Sequence, residues 1–303
     1  MDKIYITGHK NPDTDSICSS LVMTNLKKEL GIDAKACCLG ELRKEALFVL
    51  DRFGVEAPEL ISSVGSDDKC CLVDHNEFGQ SVDGLEDATI VEIVDHHKLG
   101  GMTTSAPLDM TLKTVGCTNT ILFGMYKQNN VEITKAMAGL MLSAILSDTL
   151  IFRSPTTTQA DIDAGKALAE IAGVDCEEYG MEMFKAGTSL DGYTVEEIVN
   201  MDFKPFEMGS KKVGIGQVMT LDIDSVMEKK DDFLNYINST DYDMLLLAVT
   251  DIIKEGSYLI YKSPDEVISN AFNVEASQGV FVEGLVSRKK QLVPNLTPEV
   301  EKC

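Results

Sequence analysis

The sequence predicts an α/β protein of two domains: an N-terminal domain built on a parallel sheet, then a smaller C-terminal domain of mixed α/β order. Two observations carry that prediction. Three times in the first third of the chain, a short apolar strand runs straight into acidic and imidazole side chains. Ile4-Tyr5-Ile6 leads into Gly8-His9-Lys10-Asn11-Pro12-Asp13-Thr14-Asp15-Ser16, Cys70-Cys71-Leu72-Val73 into Asp74-His75-Asn76, and Thr89 to Val94 into Asp95-His96-His97. Open parallel sheets collect ligand groups at the carboxyl ends of their strands, so the repetition implies one reactive edge. The pattern then breaks around Thr188-Ser189-Leu190-Asp191-Gly192, beyond which the element order changes. The expected boundaries are residues 1–188 for the first domain, 189–194 for a hinge and 195–303 for the second.

Taken in order, the first strand is followed by a turn rich in Gly, Asn and Pro. Apolar spacing then predicts a helix from Ile17 to Leu30, with Asp15 or Ser16 as its cap. Asp33 to Cys38 reads as a strand and Glu41 to Phe53 as a helix. Gly116-Cys117-Thr118-Asn119-Thr120 opens an amphipathic helix through Gln128. Its small polar start suits either an ordinary cap or an anion, which makes Thr118 and Asn119 candidate phosphate contacts. Thr134 to Leu146 is a strongly apolar helix that ends in Ser147-Asp148-Thr149. An aspartate there is costly to bury unpaired, so Asp148 is either solvated or a ligand. A turn at Ser154–Thr158 caps a helix from Gln159 to Ala172, and another covers Glu177 to Ala186.

Past the hinge, Val213–Thr220, Met244–Thr250 and Tyr258–Tyr261 read as strands, and Ile223–Asn238 and Asp265–Phe272 as helices. The tail carries a basic cluster, Ser287-Arg288-Lys289-Lys290-Gln291, in an otherwise acidic chain.

Composition bounds the function. Of 303 residues, 44% are hydrophobic and 25% charged, the proportions of a globular protein. No apolar run approaches the roughly 20 residues that span a bilayer, and no signal peptide is visible at the start. The eight cysteines form no CxxC pair and sit mostly in apolar surroundings, which suggests reduced core thiols in a cytoplasmic protein. A net charge of -22 argues against non-specific binding to nucleic acid or to anionic membranes. It leaves an anionic substrate open, because bound cations and a few placed Lys or Arg reverse the sign locally.

All four histidines of the chain fall in the acid-flanked motifs. The resulting set is His9, Asp13, Asp15, Asp74, His75, Asp95, His96, His97 and Asp148. Mixed imidazole and carboxylate ligands suit Mn²⁺, Co²⁺, Zn²⁺ or Mg²⁺, while the lack of thiolates disfavours a structural zinc site. So many aspartates together repel unless two or more cations lie between them. Two metals roughly 3.5–4 Å apart can share a hydroxide and clamp a phosphoryl oxygen, an arrangement used to hydrolyse phosphoesters and phosphoanhydrides.

The motifs GHKNPDTDS, DHN, DHH and SDT, with a C-terminal SRKKQ, closely resemble those of the family II inorganic pyrophosphatases of the DHH phosphoesterase superfamily. DHH alone indicates the superfamily, and the SRKKQ element narrows the resemblance to the pyrophosphatase branch. The resemblance implies a parallel-sheet DHH domain joined to a DHHA2-type domain, and hydrolysis of pyrophosphate to two orthophosphates by a metal-bridged hydroxide. It assigns His9 and Asp13 to one metal, Asp15 and His96 to a second, and Asp74 and Asp148 to both. His97 faces the substrate as proton donor, Lys204, Arg288 and Lys289 bind its phosphates as the hinge closes, and His75 and Asp95 orient the ligands. It also implies two Mn²⁺ or Co²⁺ ions per subunit, Mg²⁺ arriving with the substrate, and a homodimer formed through the N-terminal domain. About 50 residues separate His97 from Asp148, too few for the nucleotide-sensing CBS insert of some members. The alternative within the superfamily is an exopolyphosphatase or another phosphohydrolase. The nucleotide-cleaving relatives carry a C-terminal histidine-rich motif, and no histidine follows His97 here.

Overall fold

The computed structural model describes residues 3–302, which divide between Gly187 and Thr188 into two compact units. In the larger unit, β1 (Ile4–Thr7), β2 (Ala34–Cys38), β3 (Glu59–Leu60), β4 (Lys69–Val73), β5 (Thr89–Asp95) and β6 (Asp109–Leu112) form one parallel sheet. Its order is β3-β2-β1-β4-β5-β6, so the three strands that run into ligand motifs are neighbours at its centre. The order reverses between β1 and β4, and crevices at such switch points are where open α/β sheets bind ligands.

Around the sheet lie α1 (Thr14–Glu29), α2 (Lys44–Phe53), α3 (Thr118–Gln128), α4 (Lys135–Asp148), α5 (Gln159–Ala172) and α6 (Cys176–Gly187). Successive strand residues face opposite sides. Cys71 and Val73 therefore enter the main core with the helices, while Cys70 and Leu72 enter a second core with Val82, Leu85 and Ile90. α4 is apolar on every side, and its residues 138–146 are all buried, as a central helix requires. The seven described cysteines are free thiols, six of them buried; Cys303 lies outside the described residues.

The smaller unit is a mixed sheet of β7 (Phe203–Met208), β8 (Lys211–Thr220), β9 (Met244–Asp251), β10 (Gly256–Lys262) and β11 (Val280–Glu283). β8 and β9 are parallel and the other pairs antiparallel. Its helices are α7 (Val195–Asn200), α8 (Ile223–Met227), α9 (Lys230–Ser239), α10 (Asp265–Phe272) and α11 (Val293–Val300), which cover apolar cores on the two faces of the sheet. No helix among the described residues is long and apolar enough to cross a membrane.

Three predicted helices shift, among them the one expected over Glu41–Phe53, which begins at Lys44. The first begins at Thr14, not Ile17, because Asp13 and not Asp15 or Ser16 is its cap: Asp13 Oδ1 accepts from Ser16 N at 3.0 Å. The helix expected over Ile223–Asn238 is split at Glu228-Lys229, where a polar run offers nothing to bury.

Candidate metal centre

His9 follows β1 directly and is held on both sides. Its backbone N donates to Ser16 Oγ at 2.9 Å, and its ring Nδ1 donates to the Lys10 carbonyl at 2.8 Å. Gly8 makes this approach feasible, since a Cβ there would lie 1.9 Å from Ser16 Oγ. With Nδ1 engaged, Nε2 turns toward Asp13 Oδ2 at 3.5 Å and Asp74 Oδ2 at 3.4 Å. Asp74 stands at the end of β4 with φ +61°, a left-handed conformation that a non-glycine residue adopts at some cost.

The second half of the cluster repeats the scheme. His96 donates from Nδ1 to the Val115 carbonyl at 3.1 Å. Its Nε2 faces Asp74 Oδ1 at 3.4 Å, Asp148 Oδ2 at 3.9 Å and Asp15 Oδ2 at 4.0 Å. Asp74 thus presents one oxygen to each imidazole. Three sets of donor atoms each fall within 4.8 Å: His9–Asp13–Asp74, Asp15–His96–Asp148 and Asp74–His96–His97. The Oδ2 of Asp148 is shut off from solvent and has no hydrogen-bond partner. An orphaned buried oxygen facing an imidazole and a second carboxylate fits a cation, and this donor set suits Mn²⁺.

Electrostatics agrees. Burial, and then the charge of Asp15, pushes the Asp74 carboxyl up to about 6. Burial and the charges of Asp15, Asp74 and Asp13 push Asp148 well above the usual carboxylate range. On His9, burial opposes the positive charge, but Asp13 and Asp74 outweigh it and raise the imidazole to about 11. His96 is raised to about 9 in the same way, with Asp74 and Asp15 overcoming burial. The cluster holds protons where cations would serve.

His97 differs from His96. Its ring is half exposed, and its Nδ1 donates to Asp95 Oδ1 at 2.9 Å, a bond that raises its pKa. Asp95 Oδ1 also accepts from the backbone N of His96 (2.7 Å) and of His97 (3.1 Å). Its other oxygen accepts from Asn76 Nδ2 at 2.5 Å. Burial works against its charge, but these bonds hold the carboxyl down at about 2. Asp95 therefore sets the turn that carries both histidines.

His75, expected to orient the ligands, makes its contacts to the chain beside Asp74. Its Nδ1 donates to the Val73 carbonyl at 2.9 Å and its Nε2 lies 3.0 Å from Ser81 Oγ, so it fixes the backbone that carries Asp74. Burial lowers its pKa to about 4. Thr118 and Asn119, the candidate phosphate contacts, are both fully buried. They are spent on the carboxylates: Thr118 N and Asn119 Nδ2 donate to Asp15 at 2.8 and 2.7 Å, and Thr118 Oγ1 donates to Asp74 at 3.2 Å. The anion at the start of α3 is Asp15.

Sequence reasoning missed two supporting residues. Asn76 bridges Asp95 and the Gly100 backbone, and only its place as the third letter of DHN hinted at it. Asp161 is fully buried and accepts from Gly116 N, Thr120 Oγ1 and Thr158, which pins the loop that presents Val115 and Thr118. Its signal was the Thr158-x-x-Asp161 capping spacing.

In the smaller unit, Arg288 donates through its guanidinium to Asp202, at 2.7 Å to Oδ1, and its backbone N donates to the buried Gln217 at 3.2 Å. Lys289 is exposed, and so is Lys204, on edge strand β7 two residues beyond Asp202. Three expected phosphate-binding cations therefore belong to this unit.

Comparison with known proteins follows the same division. Residues 3–145 match the DHH family, N-terminal domain, and residues 181–298 match the DHHA2 domain. Fold and site thus define a protein of the DHH class with a DHHA2 domain. Among full-length relatives, a Clostridium acetobutylicum protein named "Probable manganese-dependent inorganic pyrophosphatase" is 49% identical over 306 residues, covering 99% of each chain. An Exiguobacterium relative of the same name is 48% identical over 309 residues, covering 100% of each. A solved structure titled "Crystal structure of Methanococcus jannaschii putative family II inorganic pyrophosphatase" shares 42% identity with a TM-score of 0.62, covering 98% of this chain and 99% of that one. The chain belongs to the family of manganese-dependent, family II inorganic pyrophosphatases.

Proposed function

We propose that this protein hydrolyses inorganic pyrophosphate to two orthophosphates with a pair of divalent ions, Mn²⁺ or Co²⁺, and with Mg²⁺ brought by the substrate. The observation that carries the reading is Asp74, whose two oxygens face two separate imidazoles. His9, Asp13 and Asp74 hold one ion; Asp15, His96, Asp148 and Asp74 hold the other, with Asp148, which the resemblance assigns to both ions, grouped only with Asp15 and His96. Such ions, when bound, bring the pKa of coordinated water near neutrality and offset charge on phosphate oxygens. The remaining chemistry belongs to side chains. His97, anchored through Nδ1 to Asp95, keeps its Nε2 proton available to the departing phosphate. Lys204, Arg288 and Lys289 bind and neutralise the phosphates, with Arg288 held in orientation by Asp202.

Residues 189–194 serve as the hinge between the two domains. The protein acts in the cytoplasm as a homodimer formed through its N-terminal domain, and its charge of -22 keeps it off nucleic acid and anionic membranes. The test is phosphate release by metal-stripped protein given back Mn²⁺, Co²⁺ or Mg²⁺, with tripolyphosphate and a dinucleotide run beside pyrophosphate. Fast cleavage of pyrophosphate alone is expected. Preference for tripolyphosphate would make the protein an exopolyphosphatase, and no release with any metal would refute the reading.

A further inference from the structure

Asp13 and Asp15 lie at the start of α1 and Asp148 at the end of α4, two helices that pack together in the core. Asp15 Oδ2 and Asp148 Oδ2 face the same His96 Nε2, at 4.0 and 3.9 Å, so the placement of these two helix ends sets the spacing of the two carboxylates. One side chain outside the cluster ties the same ends together. Glu45, in the first turn of α2, accepts two hydrogen bonds on a single oxygen: from Thr14 Oγ1 at 2.5 Å and from Ser147 Oγ at 2.6 Å. Thr14 sits between Asp13 and Asp15, and Ser147 directly precedes Asp148. Both bonds have the short length of hydroxyls donating to a charged carboxylate.

The behaviour of α4's other hydroxyls sets Ser147 apart. Ser143 Oγ donates back to the Gly139 carbonyl, and Thr149 Oγ1 to the Ile145 carbonyl, the usual local bond of such residues in a helix. Ser147, between them, is spent on α2 instead. Space around Glu45 is also tight. A Cβ on Gly187 would lie 3.0 Å from Glu45 Cβ and 3.1 Å from its Oε2, so the end of α6 packs against the same side chain.

We propose that Glu45 is a positioning residue that clamps the start of α1 to the end of α4 and so sets the cage formed by Asp15, His96 and Asp148. The proposal rests on the two-ion reading of the site and adds a selectivity to it. The His9–Asp13–Asp74 group takes nothing from α4, whereas the other group spans both clamped helices. Loss of the clamp therefore weakens one ion and spares the other. A residue that merely stabilised the fold would weaken both together.

The experiment is a Mn²⁺ titration of metal-stripped wild type, Glu45→Ala, Glu45→Gln and Ser147→Ala. Electron paramagnetic resonance follows it, separating isolated Mn²⁺ from an exchange-coupled pair. In Glu45→Ala one ion is expected to bind about 10- to 100-fold more weakly, the range for partners that orient metal ligands, while the other keeps its affinity. The coupled signal then appears only at higher Mn²⁺. Glu45→Gln, which keeps an accepting oxygen, stays near wild type, and Ser147→Ala shows a smaller loss of the same kind. Ser147→Ala leaves α2 untouched and decides the matter even if Glu45→Ala folds poorly. Equal weakening of both ions, or unchanged binding of both in Ser147→Ala, would overturn the proposal. The wild-type titration reports on the two-ion reading, and the ratio of variant to wild type reports on Glu45.

Discussion

Asp74→Asn is expected to lose more than about 100-fold in turnover, beyond the range for residues that only orient metal ligands. The reason is geometric: its two oxygens face the two imidazoles, so one substitution impairs both ion sites. The same substitution has an opposite effect on the metal-free fold. Burial holds the Asp74 carboxyl at about 6, above its ordinary 3.8, so ionising it costs the folded state stability as pH rises through that interval. Metal-free Asp74→Asn should therefore melt no lower than metal-free wild type at pH 7, while Mn²⁺ raises the melting temperature strongly in wild type alone. Thermal melts with and without Mn²⁺, beside initial rates, check both halves. A variant that melts lower without metal and gains as much from Mn²⁺ as wild type would show Asp74 to be structural.

The second large effect is expected at Lys289. Lys289→Ala should lower turnover by about 10²- to 10³-fold, the cost of removing one preorganised group that stabilises developing charge. Mn²⁺ binding should stay intact, because Lys289 belongs to the smaller unit and the proposed metal ligands to the larger. Arg288 should behave alike, and Arg288→Lys should not rescue it, since a point charge cannot reproduce the fork that reaches Asp202. Steady-state rates together with Mn²⁺ titration separate substrate handling from metal loading. Unchanged turnover and pyrophosphate affinity in Lys289→Ala would refute the phosphate-binding assignment.

How legible these features were depended on the kind of signal each carried. The central strands β1, β4 and β5 were readable because apolar runs end abruptly in charged residues, a contrast that survives without tertiary context. α5 was readable to the residue, since the polar Ser154–Thr158 turn and cap mark its start. β7 was not, because Phe203-Lys204-Pro205-Phe206 carries a proline that argues against a strand and is tolerated only at a sheet edge, which is where β7 lies. β3 and β6 are too short or too polar for a periodicity to show. At the site, the proposed ligands announced themselves as residue types at strand ends. Their supports did not. Asn119, Asp161 and Glu45 act across about 40 to 100 residues of sequence, and only the folded chain brings them to Asp15, Gly116 and Ser147. Thr118 and Asn119 left two readings open for a related reason: a polar helix start looks the same in sequence whether its anion is a ligand or a carboxylate of the protein.

The most direct test of the central claim counts Mn²⁺ ions and protons together. His9 and His96, raised to about 11 and about 9, both carry a proton at pH 7 in the metal-free protein, and each must lose it to become a ligand. Binding therefore releases protons, and Mn²⁺ affinity rises with pH between about 6 and 9. Equilibrium titration of metal-stripped protein in weak buffer, with pyrophosphate turnover measured at each step, should give two tight Mn²⁺ per chain. Proton release should accompany uptake, and turnover should rise with the second ion. One ion per chain, uptake without proton release, or full turnover in the absence of metal would contradict the account.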